Sequence, residues 1–208
     1  MSDPNPLIPG HNWLISNCEL LGPVAKEIGP VNFQLKSGTF EVLVNAIVSQ
    51  QLSVKAASTI HGRLIELLNH NVSPGLLAQL SAEQLQQCGI SRQKQSYLYD
   101  LSRQFIQSPK DYDKLYELTD DKVITRLVRI KGIGVWTSQM YLIFSLGRPD
   151  VFPVDDLGVK LGMQQLFGWD KIPSNSKILE TAERWKPWRS AASWYLWRLL
   201  EKNRRAIK

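Results

Sequence analysis

Leu127-Val128-Arg129-Ile130-Lys131-Gly132-Ile133-Gly134-Val135-Trp136-Thr137 is the stretch that decides the fold. Upstream, Val123, Leu127 and Ile130 recur at helical spacing. Downstream, Met140, Phe144 and their apolar neighbours do the same. The glycines between the two patterns tolerate backbone angles that other residues resist, and they let another chain come close. Ile133, between them, is placed to turn inward and pin the two helices together. The N–H groups that open the second helix form an anion site. The predicted unit is a helix-hairpin-helix that holds a nucleic-acid phosphate without reading sequence. A bare Gly-x-Gly also suits a plain αα-corner with glycine for tight packing. The surrounding Leu-x-x-Ile-Lys-Gly-Ile-Gly-x-x-Thr favours the hairpin. Val151-Phe152-Pro153-Val154-Asp155-Asp156 follows, with Asp156 lying 22 residues past Gly134 (156 − 134). That gap accommodates one helix, a short loop and the start of another helix. A carboxylate there is a candidate for acid–base or electrostatic chemistry.

Outward from this stretch, strand patterns are nearly absent and the expected fold is all-α. Helical patterns are read at 11–25, 39–50, 53–69, 73–79, 81–88, 91–107, 112–117, 120–130, 135–146, 156–166, 174–184 and 187–203. Ser81 with Gln84 reads as a capping box, and Pro187 suits a first helical turn. At 208 residues the chain has room for one good core or two small lobes. The net charge of +6 fits a polyanionic partner, although an ordinary basic protein has the same balance. No apolar run reaches membrane-spanning length, and Met1-Ser2-Asp3-Pro4 does not open a signal peptide. Cys18 and Cys88 lack metal-ligand spacing and are expected as reduced thiols. Nothing groups His11, His61 and His70 into a zinc site or a triad. The expected location is therefore the cytoplasm or the nucleus.

The hairpin together with Val154-Asp155-Asp156-x-x-x-Lys160 resembles the helix-hairpin-helix–GPD superfamily of DNA glycosylases. Within it the chain is similar to the 3-methyladenine DNA glycosylase II branch, which excises alkylated bases. Three more stretches carry this resemblance. They are Phe40 to Ala57 with its Ser49-Gln50-Gln51-Leu52-Ser53 core, Gly89 to Gln95, and Trp185-Lys186-Pro187-Trp188-Arg189-Ser190 with Trp197 beyond. The resemblance runs from about Gly38 to Leu200 and implies two helical lobes with an active-site cleft between them. One lobe covers roughly 38–148, with the hairpin at 120–146. The other pairs 1–37 with 149–208. Some relatives add a β-rich N-terminal domain, for which the residues before Gly38 are too few.

The resemblance also assigns roles. Asp156 is the implied catalytic carboxylate, because Asp156-Leu157-Gly158-Val159-Lys160 fits the family register. Asp155 then becomes a helix N-cap or a structural acceptor. Such a carboxylate stabilises the positive charge that develops on the sugar as the base departs, and it orients water. Superfamily members that also cut the backbone carry a lysine where this chain has Trp136, which implies hydrolysis without lyase activity. Trp136 and Trp197 are the implied aromatic walls of the base pocket. Met140 and Leu157 stand where some relatives have pocket tyrosines. Gln51 aligns with the wedge that fills the gap left by a flipped base, with Leu52 beside it. Lys131, Gly132, Ile133, Gly134 and Thr137 are the implied backbone-binding residues. Ser53, Ser91, Arg92 and Lys94 are candidate phosphate contacts.

The family hairpin implies a structural Na+ or K+ on the carbonyls of Ile130 and Gly132. No catalytic metal is expected, and with no cysteine after Cys88 no iron–sulfur cluster is expected. The implied partner is double-stranded DNA containing alkylated bases, met by a monomer. Three readings compete with alkylbase excision. They are a bifunctional or oxidised- or mismatched-base glycosylase, a helix-hairpin-helix module that only binds DNA, and a small-molecule nucleosidase.

Overall fold

The structure is a computed structural model that describes residues 5–206; Met1 to Pro4, read above for a targeting signal, lie outside the described residues. Every regular element among the described residues is helical. In order they are α1 (Ile8–Asn17), α2 (Leu21–Ile28), α3 (Thr39–Ser49), α4 (Val54–Leu67), α5 (Pro74–Gln79) and α6 (Ala82–Gln87). Then follow α7 (Arg92–Gln107), α8 (Asp120–Leu127), α9 (Val135–Phe144), α10 (Leu157–Phe167), α11 (Asn175–Ala182) and α12 (Arg189–Ala206). None of these helices is long and apolar enough to cross a membrane.

Local chemistry sets several boundaries. Ser53, Ser81, Ser91 and Ser174 each accept a backbone N–H of their own helix's first turn. At Ser81 the capping box is complete, with Gln84 Oε1 accepting the Ser81 N–H at 2.8 Å. The single helix expected over 11–25 is instead two, α1 and α2, broken at Cys18 to Leu20. Pro23 explains the break. Inside a continuous helix it would lack a donor and clash with the preceding turn, but in α2 it falls in the first turn, where no N–H is missed. Two 3-10 turns, Pro109–Asp111 and Leu115–Glu117, replace the helix expected over 112–117. Pro187 lies outside α12, because the Trp188 N–H closes a turn onto the Trp185 carbonyl at 2.7 Å before the helix begins.

The chain divides into two compact units, one of residues 36–141 and one of residues up to 35 together with those from 142 onward. The lobe boundaries read from the sequence lay at 37/38 and 148/149. The later boundary falls earlier because of side-chain partners along α9. Tyr141 hydrogen-bonds Thr39 at 2.9 Å within the first unit, whereas Phe144 packs edge-on to Phe33 and stacks with Trp197 in the second.

In the 36–141 unit, Leu43, Val44 and Ile47 of α3, Leu98 and Leu101 of α7, and Leu127, Ile130 and Ile133 of the hairpin are buried. Phe105 joins this core between Phe40 and Tyr112. In the other unit, Leu14, Leu21, Met163, Trp185, Tyr195 and Leu196 are buried. There α10 packs closely on α12, because a Cβ at Gly162 would lie 2.8 Å from Leu196 Cβ.

Candidate functional site

The hairpin is built as its sequence requires. Gly132 has φ +80°, and a Cβ on it would meet the Tyr97 ring, 2.5 Å from Cγ, so backbone angle and packing both demand glycine. Gly134 differs: nothing lies within 4 Å of where its Cβ would be. That side of the chain is open to close approach. Ile133 is 4% exposed, and its N–H closes the turn onto the Ile130 carbonyl at 3.1 Å. Thr137 is buried as well. Both positions therefore turn their side chains inward, and what they present to a phosphate is backbone. The first N–H groups of α9 have no acceptor inside the helix, which makes this end electropositive. Lys131, Gly134, Val135 and Trp136 are exposed around it.

Asp100 of α7 anchors the hairpin from below. Its Oδ2 accepts the Lys131 N–H at 2.9 Å, and its Oδ1 pairs with the Arg103 guanidinium. Burial pushes the Asp100 carboxyl up. The Lys131 N–H and the charges of Arg103 and Lys131 outweigh burial and hold it below the ordinary aspartate value.

The expected wedge lies in the same unit, between α3 and α4. Gln51 is exposed, with φ +56°, and Leu52 beside it is 38% exposed. Ser53 Oγ caps α4 at 3.3 Å from the Ala56 N–H, and Ser91 Oγ caps α7 at 3.4 Å from the Lys94 N–H. Arg92 is exposed at the start of α7. Lys94 departs from its expected role as a phosphate contact. Its ammonium turns inward and donates to the carbonyls of Val48 at 2.7 Å and Gln50 at 2.8 Å. The carbonyls that end α3 outcompete solvent for it, and burial lowers its pKa.

The carboxylate lies in the other unit. Asp156 is itself the N-cap of α10: Oδ1 accepts the Val159 N–H at 2.8 Å. The same oxygen accepts the Trp197 indole N–H at 2.8 Å. The expectation of an N-cap role for Asp155 is therefore corrected. Its side chain is 71% exposed, 3.8 Å from the Lys160 ammonium, and Asn175 donates to it at 2.8 Å. The Pro153-to-Asp156 turn, closed at 3.0 Å, carries the second aspartate of the pair to the helix start and leaves the first outside it.

Gly158 is a residue that motif reading missed. A Cβ there would lie 2.8 Å from Trp197 Cδ1 and 3.0 Å from Asp156 Oδ1. Only glycine lets the indole reach the carboxylate. The one sequence signal is its four-residue spacing from Gly162, a stripe of small residues where α10 meets α12. Trp197 stacks on Phe144 with ring centres 5.8 Å apart. Leu157 is 61% exposed beside Asp156, Trp136 is 46% exposed, and Met140 is partly buried. Among the described residues no cluster of His, Cys, Asp or Glu suits a metal ion.

The described chain is all-helical, with a glycine hairpin in one unit and a carboxylate held by an indole in the other. The family model described as the HhH-GPD superfamily base excision DNA repair protein matches residues 44–187, and the chain belongs to that superfamily. It is 37% identical over 166 residues to DNA-3-methyladenine glycosylase 1 of Schizosaccharomyces pombe, covering 78% of this chain and 73% of that protein. Among solved structures it is similar to the Schizosaccharomyces pombe 3-methyladenine DNA glycosylase in complex with abasic DNA. The TM-score is 0.80 and the identity 34%, covering 91% of this chain and 95% of that one. It is also similar to a DNA-3-methyladenine glycosidase from Bacillus halodurans, with TM-score 0.81 and 34% identity over 91% and 88% of the two chains.

Proposed function

We propose that the protein is a monofunctional DNA glycosylase of the 3-methyladenine type II kind. It flips alkylated purines out of duplex DNA and hydrolyses the N-glycosidic bond, leaving an abasic site. The observation that carries this reading is the Asp156 carboxylate, tied by one oxygen to the start of α10 and to the Trp197 indole. A carboxylate fixed in this way is preorganised for charge that develops only in the transition state, where such stabilisation is most effective. The hairpin supplies the partner, since Gly134 and the α9 N-terminus suit a phosphate whatever the sequence.

In the reaction the bond between C1′ and the purine nitrogen breaks, and its electron pair leaves with the base. For 3-methyladenine or 7-methylguanine the base is already cationic and needs no proton, so one carboxylate suffices. Asp156 stabilises the oxocarbenium-like sugar and takes up the proton of the water that adds to C1′. Trp136 stands where backbone-cutting relatives carry a lysine, so no Schiff base forms. Its exposed indole suits an electron-poor base through stacking and cation–π attraction.

The carbonyls of Ile130 and Gly132 suit a monovalent cation that would add positive charge beside the phosphate. Each accepts one N–H, from Ile133 and from Gln50 Nε2, and a carbonyl oxygen carries two lone pairs. The protein acts as a monomer on DNA in the cytoplasm or nucleus.

The test is release of free base from methylated duplex DNA by the wild type and by Asp156→Asn. The asparagine keeps an acceptor for Val159 and Trp197 but not the charge. The wild type is expected to release 3-methyladenine, and the variant to bind duplex yet release at least 100-fold less, in line with loss of one electrostatic stabiliser. Equal activity in the two sinks the role of Asp156. A DNA adduct trapped by borohydride sinks hydrolysis without lyase chemistry.

A further inference from the structure

The wedge loop has an unusual backbone. After α3 ends, Gln51 adopts φ +56°, a left-handed conformation that residues other than glycine, asparagine and aspartate resist. The segment is exposed: Leu52 is 38% and Val54 88% exposed. Burial of its own side chains does not hold this strained, exposed turn, so other contacts must.

One row of α7 supplies a contact to this turn and two contacts to the hairpin. Lys94, Tyr97 and Asp100 are spaced i, i+3 and i+6, which puts them on one face of the helix. Lys94 Nζ donates to the Val48 and Gln50 carbonyls, at 2.7 and 2.8 Å, immediately before Gln51. Tyr97 packs its ring against Gly132 of the hairpin. Asp100 accepts the Lys131 N–H at 2.9 Å. A fourth contact closes the circuit, because Gln50 Nε2 donates to the Gly132 carbonyl at 2.7 Å. The left-handed angle of Gly132 and the Tyr97 ring together direct that carbonyl.

Building on the glycosylase reading, we propose that Lys94 and Gln50 are positioning residues that lock the Gln51 turn to the hairpin. The element that penetrates the duplex and the element that grips the backbone then move as one body. An ammonium on the C-terminal carbonyls of α3 satisfies groups the helix leaves unbonded and opposes its dipole. Without it the Gln51 turn loses its support and relaxes, and a wedge that yields cannot hold an extruded base out of the stack. Neither residue touches the reacting atoms.

The experiment compares Lys94→Met and Gln50→Met with wild type on two duplexes. In one the methylated purine is paired; in the other the same lesion faces a one-nucleotide gap and has no pairing partner to break. Single-turnover base release is followed on both, together with the fluorescence rise of a 2-aminopurine placed beside the lesion. Both variants are expected to lose at least 10-fold on the paired lesion, to stay within 3-fold on the gapped one, and to lose the fluorescence rise. Either variant suffices if the other does not fold. Equal losses on the two duplexes, or full activity on the paired one, overturn the proposal. Should the wild type release no base from either duplex, the enzymatic reading fails by itself, and fluorescence decides. A rise that both variants lose supports the lock; a rise that they keep, or none at all, overturns it.

Discussion

Replacing Gly158 by alanine tests the link between packing and catalysis. The new Cβ would sit 2.8 Å from Trp197 Cδ1 and 3.1 Å from Nε1. Carbon atoms rest about 3.5–4.0 Å apart, so the indole must retreat by roughly 1 Å. Phe144 stacks against that indole and restricts where it can go. The Nε1–Oδ1 distance is 2.8 Å, and lengthening it to roughly 3.6 Å ends the hydrogen bond. Overpacking costs about 1–3 kcal/mol of stability. For a chain of this size each kcal/mol lowers Tm by about 2–4 °C.

The catalytic cost is the larger effect. Asp156 then loses one of the groups that orient it, and a misplacement of roughly 1 Å in such an arrangement costs about 100-fold in rate, equivalent to about 2.7 kcal/mol of barrier. Single-turnover base release from methylated duplex should therefore fall about 100-fold, while affinity for undamaged duplex holds. Trp197→Phe removes the N–H and keeps most of the ring, so it should fall in the same direction. Because both changes break one hydrogen bond, the double variant should be little slower than the slower single one. A Gly158→Ala enzyme within twofold of wild type, with unchanged Tm, would refute the reasoning.

The two hairpin glycines should separate in experiment. Gly132→Ala forces a left-handed backbone and a clash with Tyr97, costing about 2–4 kcal/mol in chemical denaturation. Gly134→Ala meets open space, so stability should hold to within about 1 kcal/mol while duplex affinity drops. A Gly134 variant with wild-type affinity would show that no phosphate comes near. Asp100 predicts a pH dependence. Its folded pKa is below the unfolded value of about 3.9, so its contribution is present above that value and is lost as pH falls through the folded one. The wild-type urea midpoint should fall steeply in acid, whereas Asp100→Asn should start lower at neutral pH and converge with it. Parallel curves would show that Asp100 gains nothing from its charge.

The hairpin was legible because its information is local: Ile130, Gly132 and Ile133 obey turn and core rules that act within a few residues. The register Asp156-Leu157-Gly158-Val159-Lys160 likewise marked Asp156, and its carboxylate is the one oriented by Trp197. What escaped was long-range. Lys94 looked like a phosphate ligand at a helix start, but its ammonium meets carbonyls that lie 44 and 46 residues earlier in the chain. The split of 11–25 was signalled by Pro23, yet apolar periodicity running through it hid the break.

Sequence by itself determined the helical class and the hairpin, because periodicity and glycine placement are properties of neighbouring residues. Tertiary structure alone decided why Gly158 must be glycine and what holds the Gln51 turn. Those depend on groups far apart in the chain, Lys94 with Gln50 being 44 residues apart and Gln50 with Gly132 being 82, which only folding brings within reach.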